Sequence, residues 1–327
     1  MPTILLSNPY FLSHIERFQP VFEHYHLELI IPKVQERLSE DELLAYAGQF
    51  DGVICGDDRF TERVLRECKP RLKVISKWGT GIDSIDRSMC NQLSIQVCNT
   101  PNAFTQPVAD TVMGYILAFA RNLYQMDHAM KSRQWKKISM RSLNECALGV
   151  VGVGTIGKAV LRRAQAFGMK LIGNDIVSIP PDFLLENAVE MTSLADLLQR
   201  ADFISLNCDL NPTSYHLINS DTLNNTNPKA VLINTSRGTV VDEKALITAL
   251  KARRLAGAAL DVFEVEPLPL DSPLLEMDNV LIAPHNSNSS PAAWERVHWN
   301  TIQNLLEGLQ ISSADLTTFE SILIPAN

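Results

Sequence analysis

Among its 327 residues the chain has no C-x-x-C pair, no apolar run long enough to cross a membrane, no low-complexity segment and no stripe of basic residues. Each absence removes a class of function. The six cysteines (Cys55, Cys68, Cys90, Cys98, Cys146 and Cys208) are widely spaced, so they read as reduced thiols, and no metal centre is expected. With no signal peptide and no membrane-crossing segment, a cytoplasmic protein without a membrane partner is expected. The net charge of -8, with Lys and Arg scattered, offers a phosphate backbone little to hold, so nucleic acid is not an expected partner. What is present is an apolar fraction of 46%, ordinary for a globular protein, in a chain long enough for two domains with separate cores.

Short apolar runs alternate with amphipathic ones along the first part of the chain, the pattern of strands joined by crossover helices. TILLS, LELII, DGVIC, LKVISK and IQVCN read as buried strands of a small parallel sheet. Between them, DELLAYAGQF and FTERVLREC space their apolar residues as helices do and carry acidic residues early, where the helix dipole favours them. A long helix is expected after Thr105, with Pro107 in its first turn and Val108, Val112, Ile116, Ala120 and Tyr124 along one face. From Ala147 the alternation begins again, and ALGVV, KLIGN, DFISLN, AVLINT, GAALDVF and NVLIAP read as a six-stranded doubly wound sheet. One more strong helix is expected, with Ser290 as N-cap and Pro291 at its first position. The remaining SSADLTTFESILIPAN reads as a tail packed on the first unit.

In VVGVGTIGKAV, Gly152, Gly154 and Gly157 follow an apolar strand and open a helix, the context a dinucleotide-binding turn needs. The first glycine permits the tight turn, the second lets backbone approach a pyrophosphate, and the third lets helix and strand pack closely. The amides of Thr155 and Ile156 would point at phosphate from the helix N-terminus. Asp175, at the end of the next strand, stands where an acidic residue holds the adenosine ribose diol and repels a 2'-phosphate, so NAD is the expected cofactor. A glycine-rich turn beside a solvated Asp is the plainer alternative.

Three later stretches, INTSRG, LDVFEVEP and APHNS, end strands of the second sheet, at the edge where doubly wound folds bind ligands. Reducing a keto acid with a nicotinamide requires a cation to orient carbonyl and carboxylate and a proton donor titrating near neutrality. A carboxylate beside that donor holds it and raises its pKa. Arg237, His285 and Glu266 supply these types in turn. Taken singly, each has a plainer reading: a structural ion pair, a backbone-bonded histidine and a solvated carboxylate.

The motifs KWGTGIDSID, NTPNAFTQPVADTVMGYILAFAR, LGVVGVGTIGKAV, NPKAVLINTSRGTVVDEKALITALK, AGAALDVFEVEPL and NVLIAPHNS run in one order through nearly the whole chain. So arranged, they resemble the D-isomer-specific 2-hydroxyacid dehydrogenases, the family of phosphoglycerate, glycerate and D-lactate dehydrogenases. The resemblance implies an α/β protein of two doubly wound parallel-sheet domains. A Rossmann NAD-binding domain at residues 102–288 is inserted into a flavodoxin-like substrate domain made of residues 1–101 and 289–327, with the active site in the cleft between. It implies hydride transfer between NAD(H) and a small 2-hydroxy or 2-keto acid of D configuration. Arg237 would bind the substrate carboxylate and carbonyl, His285 would be the acid/base and Glu266 would pair with it. Backbone amides of Trp78, Gly79, Thr80 and Gly81 would receive the carboxylate. Thr235, Ser236 and Asp261 would lie along the nicotinamide half of the cofactor, and Cys208 on the adenine side. The segment after Thr105, with Tyr124, Met126, Met130 and Trp135 of types favoured at interfaces, implies a homodimer.

Several positions depart from the family. Glu145 and Cys146 stand where members often have Gly and Lys, with only a surface effect expected. VICGDD lacks the Arg of phosphate-handling relatives and supplies Asp57 and Asp58, which favours an unphosphorylated substrate, although Arg59 lies in the same loop. Lys77 could assist a substrate anion but reads first as a solvated strand end, and NSNSS after His285 has no assigned chemistry. Glu266 argues against formate oxidation, where relatives place a Gln. Phosphoglycerate dehydrogenase proper and an NAD-sensing, corepressor-like binding protein remain as alternatives.

Overall fold

The computed structural model describes residues 1–323; residues 324–327 of the expected tail lie outside the described residues. Two compact units divide the chain: Met1–Phe104 together with the part from Ser290 onward, and Thr105–Ser289.

The first unit holds five parallel strands, β1 (Thr3–Leu6), β2 (Glu28–Ile30), β3 (Gly52–Cys55), β4 (Val74–Lys77) and β5 (Gln96–Cys98). All five expected runs are present. Their order, β2-β1-β3-β4-β5, is the flavodoxin-like winding, which reverses between β1 and β3; ligands bind beyond the carboxyl ends at such a point. Cys55 pairs opposite Lys77, so β3 and β4 end level and their loops emerge side by side. The three central strands are buried throughout, as parallel strands covered on both faces are. One cover is a cluster including Phe50, Val64, Leu65 and Cys68. The other includes the Pro291–Gly308 helix, which starts with Ala293 N–H donating to the Ser290 hydroxyl. That helix lies so close to the sheet that a Cβ at Gly308 would fall 2.3 Å from Val74 Cγ2. The tail forms a helix at Leu316–Ile322, with Leu316 buried and Phe319 against His24.

The second unit holds seven parallel strands rather than six: β6 (Ala147–Val151), β7 (Lys170–Asn174), β8 (Val189–Met191), β9 (Phe203–Leu206), β10 (Val231–Asn234), β11 (Gly257–Leu260) and β12 (Val280–Ile282). The order is β12-β11-β10-β9-β6-β7-β8. The unexpected β8 is an edge strand of only three residues with Glu190 exposed at its centre, too short to form an apolar run. Helices Thr105–Ala120 and Thr155–Ala166 cover one face, and Leu194–Arg200 and Glu243–Lys251 the other. The first of these does not run on to Tyr124. It stops at Ala120, Asn122 takes φ 47°, and a separate helix, Leu123–Lys131, has no buried residue. Asn tolerates this left-handed backbone better than most residues, and Tyr124 is left exposed. Cys146 is also not a surface position: it is fully buried in the core beneath β6.

Candidate active site

β6 ends at Val151, and the Thr155–Ala166 helix begins immediately after Gly154, its N-cap. Gly152 has φ 90°, and a Cβ there would lie 2.6 Å from the backbone nitrogen of Cys208; one at Gly157 would lie 2.1 Å from the carbonyl oxygen of Gly152. Both positions therefore exclude any side chain. At Gly154 a Cβ would meet nothing within 4 Å, so the loop offers an open face at the helix N-terminus beside Thr155 and Ile156, where backbone amides and dipole favour an anion. Asp175, just past β7, does more than the sequence suggests: Oδ2 accepts Val153 N–H at 2.6 Å and Oδ1 accepts Val177 N–H at 3.0 Å, tying the glycine loop to the neighbouring strand end. Along the same edge, Asn207 Oδ1 and the Thr235 hydroxyl are buried without a partner, a costly condition that a polar ligand relieves. Burial pushes the Cys208 thiol up to about 11, so it stays neutral. A turn cleared of side chains, an acidic residue at the next strand end and unmet polar atoms together fit a dinucleotide.

Arg237, Glu266 and His285 follow β10, β11 and β12, three neighbouring strands, so the parallel sheet delivers all three to one edge. The Arg237 turn is built by Asn234, whose side-chain amide donates to Arg237 O at 2.9 Å while its Oδ1 accepts from the amide and hydroxyl of Ser236 at 3.1 and 2.8 Å. Arg237 Nη1 donates to Ser236 O at 2.8 Å. Glycine at 238 is required because a Cβ would lie 1.9 Å from the carbonyl carbon of Phe263, so this turn presses on the loop that carries Glu266. In that loop Glu266 Oε1 accepts Phe263 N–H at 3.0 Å, and Oε2 lies 3.1 Å from His285 Nδ1. His285 itself has φ 49°. It is held there by its amide donating to Asp261 O at 2.8 Å and by the buried Asp261 carboxylate accepting Asn286 N–H at 2.8 Å and Ser287 N–H at 2.9 Å. The run NSNSS is thus structural, since its first two amides anchor the histidine turn.

The sequence reading missed a second His–Glu contact. His216 Nε2 lies 2.8 Å from Glu264 Oε1, which also accepts Glu243 N–H at 3.3 Å, while Glu264 N–H donates back to Glu243 Oε2 at 3.3 Å. This clasps the Glu266 loop to the start of the Glu243–Lys251 helix. Burial, and then the charge of Glu264, raise the Glu243 pKa. No fixed spacing links His216 to Glu264, so no motif signalled the pair.

In the first unit, Trp78 follows β4 and is 3% exposed. Its Nε1–H donates to His298 Nδ1 at 3.0 Å, which requires that ring to be neutral at Nδ1. Burial, with the nearby charges of His14 and Arg17, brings the His298 pKa down to about 3. Gly79 has φ 122°, and its carbonyl accepts Thr100 N–H at 2.8 Å, while the Thr80 hydroxyl donates to Thr100 O at 2.9 Å. These bonds shape the 78–81 loop, with Gly81 at its end. Three expectations are corrected here. Lys77 is buried, not solvated, and pairs with Asp57 at 2.9 Å. Asp57 is therefore a matched charge. Asp58 is fully buried, accepting the Ser7 hydroxyl at 2.8 Å, Gly56 N–H at 3.0 Å and Leu38 N–H at 2.5 Å; it organises the loop after β3 and is not presented to a substrate. Arg59 is exposed.

Residues 113–287 match the family model described as the NAD binding domain of D-isomer specific 2-hydroxyacid dehydrogenases. The chain is 39% identical over 246 residues to a glyoxylate reductase of Korarchaeum cryptofilum, covering 73% of this chain and 74% of that protein. The chain belongs to the D-isomer specific 2-hydroxyacid dehydrogenase family. This dehydrogenase is also 34% identical over 281 residues to a hydroxypyruvate reductase of Thermotoga maritima, covering 84% of this chain and 90% of that protein. Among solved structures it is similar to a D-lactate dehydrogenase of Aquifex aeolicus complexed with NAD and lactic acid, with a TM-score of 0.83, 29% identity, and 99% of this chain and 100% of that one covered. It is an NAD-dependent oxidoreductase acting on 2-hydroxy or 2-keto acids. Among the described residues no helix is long and apolar enough to cross a membrane, and no cluster of His, Cys, Asp or Glu could hold a metal ion.

Proposed function

We propose that this dehydrogenase interconverts unphosphorylated 2-keto acids and D-2-hydroxy acids, with Arg237, Glu266 and His285 as its catalytic residues. The observation that carries the reading is the 3.1 Å contact of Glu266 with His285 Nδ1 at the sheet edge that also bears Arg237. The nicotinamide, when bound, supplies or accepts the hydride. Arg237 pairs with the substrate's carboxylate and polarises its carbonyl. With Nδ1 engaged by Glu266, His285 exchanges its proton through Nε2, giving it to the carbonyl oxygen in reduction and taking it from the hydroxyl in oxidation. The Glu266 carboxylate orients the ring and favours its charged form. Asp261 contributes by fixing the turn from which the ring projects.

Gly152, Gly154 and Gly157, with the amides of Thr155 and Ile156, receive the pyrophosphate. Asp175 accepts from the ribose diol and repels a 2'-phosphate. Cys208 lines the adenine side, and Thr235 and Ser236 line the nicotinamide half, where the Thr235 hydroxyl gains a partner. In the first unit, the amides of residues 78–81 hold the substrate carboxylate. The preference for unphosphorylated acids rests on charge: Lys77 is already matched by Asp57, so that loop has little to offer a dianionic phosphate. The test is turnover of NADH with a panel of glyoxylate, hydroxypyruvate, phosphohydroxypyruvate and longer 2-keto acids. Higher efficiency on phosphohydroxypyruvate than on hydroxypyruvate overturns the charge argument and returns phosphoglycerate dehydrogenase as the better reading.

Two features of setting complete the proposal. Six free cysteines suit the reducing cytoplasm. The exposed Leu123, Tyr124, Met130 and Trp135 form the contact of a twofold homodimer; a monomeric mass at micromolar concentration in solution counts against it.

A further inference from the structure

An aromatic wall stands at the carboxyl edge of the first unit's sheet, and the chemistry above makes no use of it. Tyr10 follows β1, Trp78 follows β4, and Trp294 lies in the first turn of the Pro291–Gly308 helix. Tyr10 stacks on Trp78 with centroids 5.4 Å apart and planes at 23°. Trp294 leans on both, 5.3 Å from Tyr10 and 5.9 Å from Trp78. Trp78 is the fixed base of the group, buried and tied to His298, whereas Tyr10 and Trp294 keep part of their surface open. Because the winding of this sheet reverses between β1 and β3, the wall stands where doubly wound folds hold ligands.

The carboxylate loop adjoins the wall. The Cβ direction of Gly79 points to within 3.6 Å of Phe104 Cε2 and 4.0 Å of Lys77 Nζ, and Phe104 packs on Trp78 at 5.7 Å. A substrate whose carboxylate rests on this loop therefore has rings beside its other end. An apolar or aromatic group gains there by leaving water and stacking on an open ring. A hydrogen atom gains nothing, and a hydroxymethyl or phosphate must shed water against carbon surface.

Resting on the hydride-transfer reading above, we infer that Tyr10 and Trp294 form the side-chain subsite, and that it takes 2-keto acids with an aromatic or large apolar side chain. The test compares kcat/KM with NADH for phenylpyruvate and pyruvate, two ketones that share the reacting carbonyl and carboxylate and differ by the ring that reaches the wall. The wild type is expected to favour phenylpyruvate by at least about tenfold, and Trp294→Ala and Tyr10→Ala to lower the phenylpyruvate-to-pyruvate ratio by on the order of tenfold or more. Trp294→Phe, which keeps a ring, is expected to retain most of it. NADH binding by fluorescence shows whether each variant keeps a working second unit. Should Trp294→Ala fail to fold, the wild-type ratio together with Tyr10→Ala and Trp294→Phe decides. A wild type that favours pyruvate, or a ratio unchanged in the folded variants, overturns the subsite alone. No turnover on any keto acid overturns the hydride-transfer reading and the subsite with it.

Discussion

The carboxyl edges of the two sheets arise from the same parallel winding but present different surfaces. In the second unit, the loops after β7, β10, β11 and β12 are held by directional bonds: Asp175, Asn234 and Asp261 each accept backbone amides, and Glu266 accepts one while touching His285. In the first unit, hydrogen bonds likewise hold the backbone after β1 and β4, but the surface they carry is a set of rings leaning on rings, over a buried Asp58 and a matched Lys77–Asp57 pair. Hydrogen bonds fix the aim of an atom, as proton and hydride transfer demand. Aromatic contacts fix a surface more than a direction and tolerate variation in what lies against them. On the proposed reading, reaction belongs to one edge and discrimination to the other, and the contrast can be pressed from both sides.

Replacing the proton donor presses hardest. His285→Asn is expected to lower turnover by roughly 100-fold or more at every pH, the usual scale for general acid-base catalysis, while thermal stability and NADH binding stay close to wild type. A variant that instead unfolds at markedly lower temperature would show that this edge, too, is chiefly structural. The first unit is expected to respond in the opposite sense. Asp58→Ala strands the amides of Gly56 and Leu38 in a buried place and leaves the Ser7 hydroxyl only its longer bond to Ile54 O, which costs about 3 kcal/mol and is read as a lower apparent melting temperature. Unchanged melting breaks the comparison at that end.

Cofactor choice gives a smaller effect. The wild type is expected to favour NADH over NADPH by about tenfold or more through the like charge of Asp175, and Asp175→Ser to erase most of that margin. Equal use of the two by the wild type would mean that the carboxylate serves only the amides of Val153 and Val177. The finest test displaces a pH profile. With His285 as the proposed acid/base, reduction needs its imidazolium and is expected to fail as pH rises, while oxidation needs the neutral ring and is expected to appear over the same interval. A neighbouring carboxylate favours the charged ring, so Glu266→Gln is expected to move both limbs to lower pH. Limbs that stay in place separate Glu266 from the proton donor.

Much of the fold was legible because parallel strands write short apolar runs between amphipathic segments; the five runs of the first sheet and six of the seven strands of the second were read this way, although β2 and β5, expected to be buried, lie at the edges of their sheet and are not, and neither is the edge strand β12. The edge strand Val189–Met191 has no such run, with Glu190 outward at its centre. The helix break at Asn122 was hidden because an apolar face continued in register across it. At the candidate site, residue types and motif order pointed to Arg237, Glu266 and His285, but what holds them did not show. The amides of Asn286 and Ser287 on Asp261 carry no side-chain signature, since any residue donates an N–H there. Lys77, Asp57 and Asp58 were misread for a related reason: adjacent letters do not reveal that one carboxylate faces an ammonium across two strand ends while the next turns inward. His216 and Glu264 lie 48 residues apart and meet only through the folded sheet.

The turn beneath His285 hangs from Asp261, whereas the ring itself rests Nδ1 against Glu266. The backbone turn and the ring's contact therefore depend on different residues. A change at position 266 alters what the ring meets, and with it the ring's orientation, without undoing the turn. The reverse freedom is absent: a change at 261 releases the amides of two consecutive residues and the aim of the ring together. A change at one of these carboxylates therefore leaves the turn in place, while a change at the other reaches the turn and the ring alike.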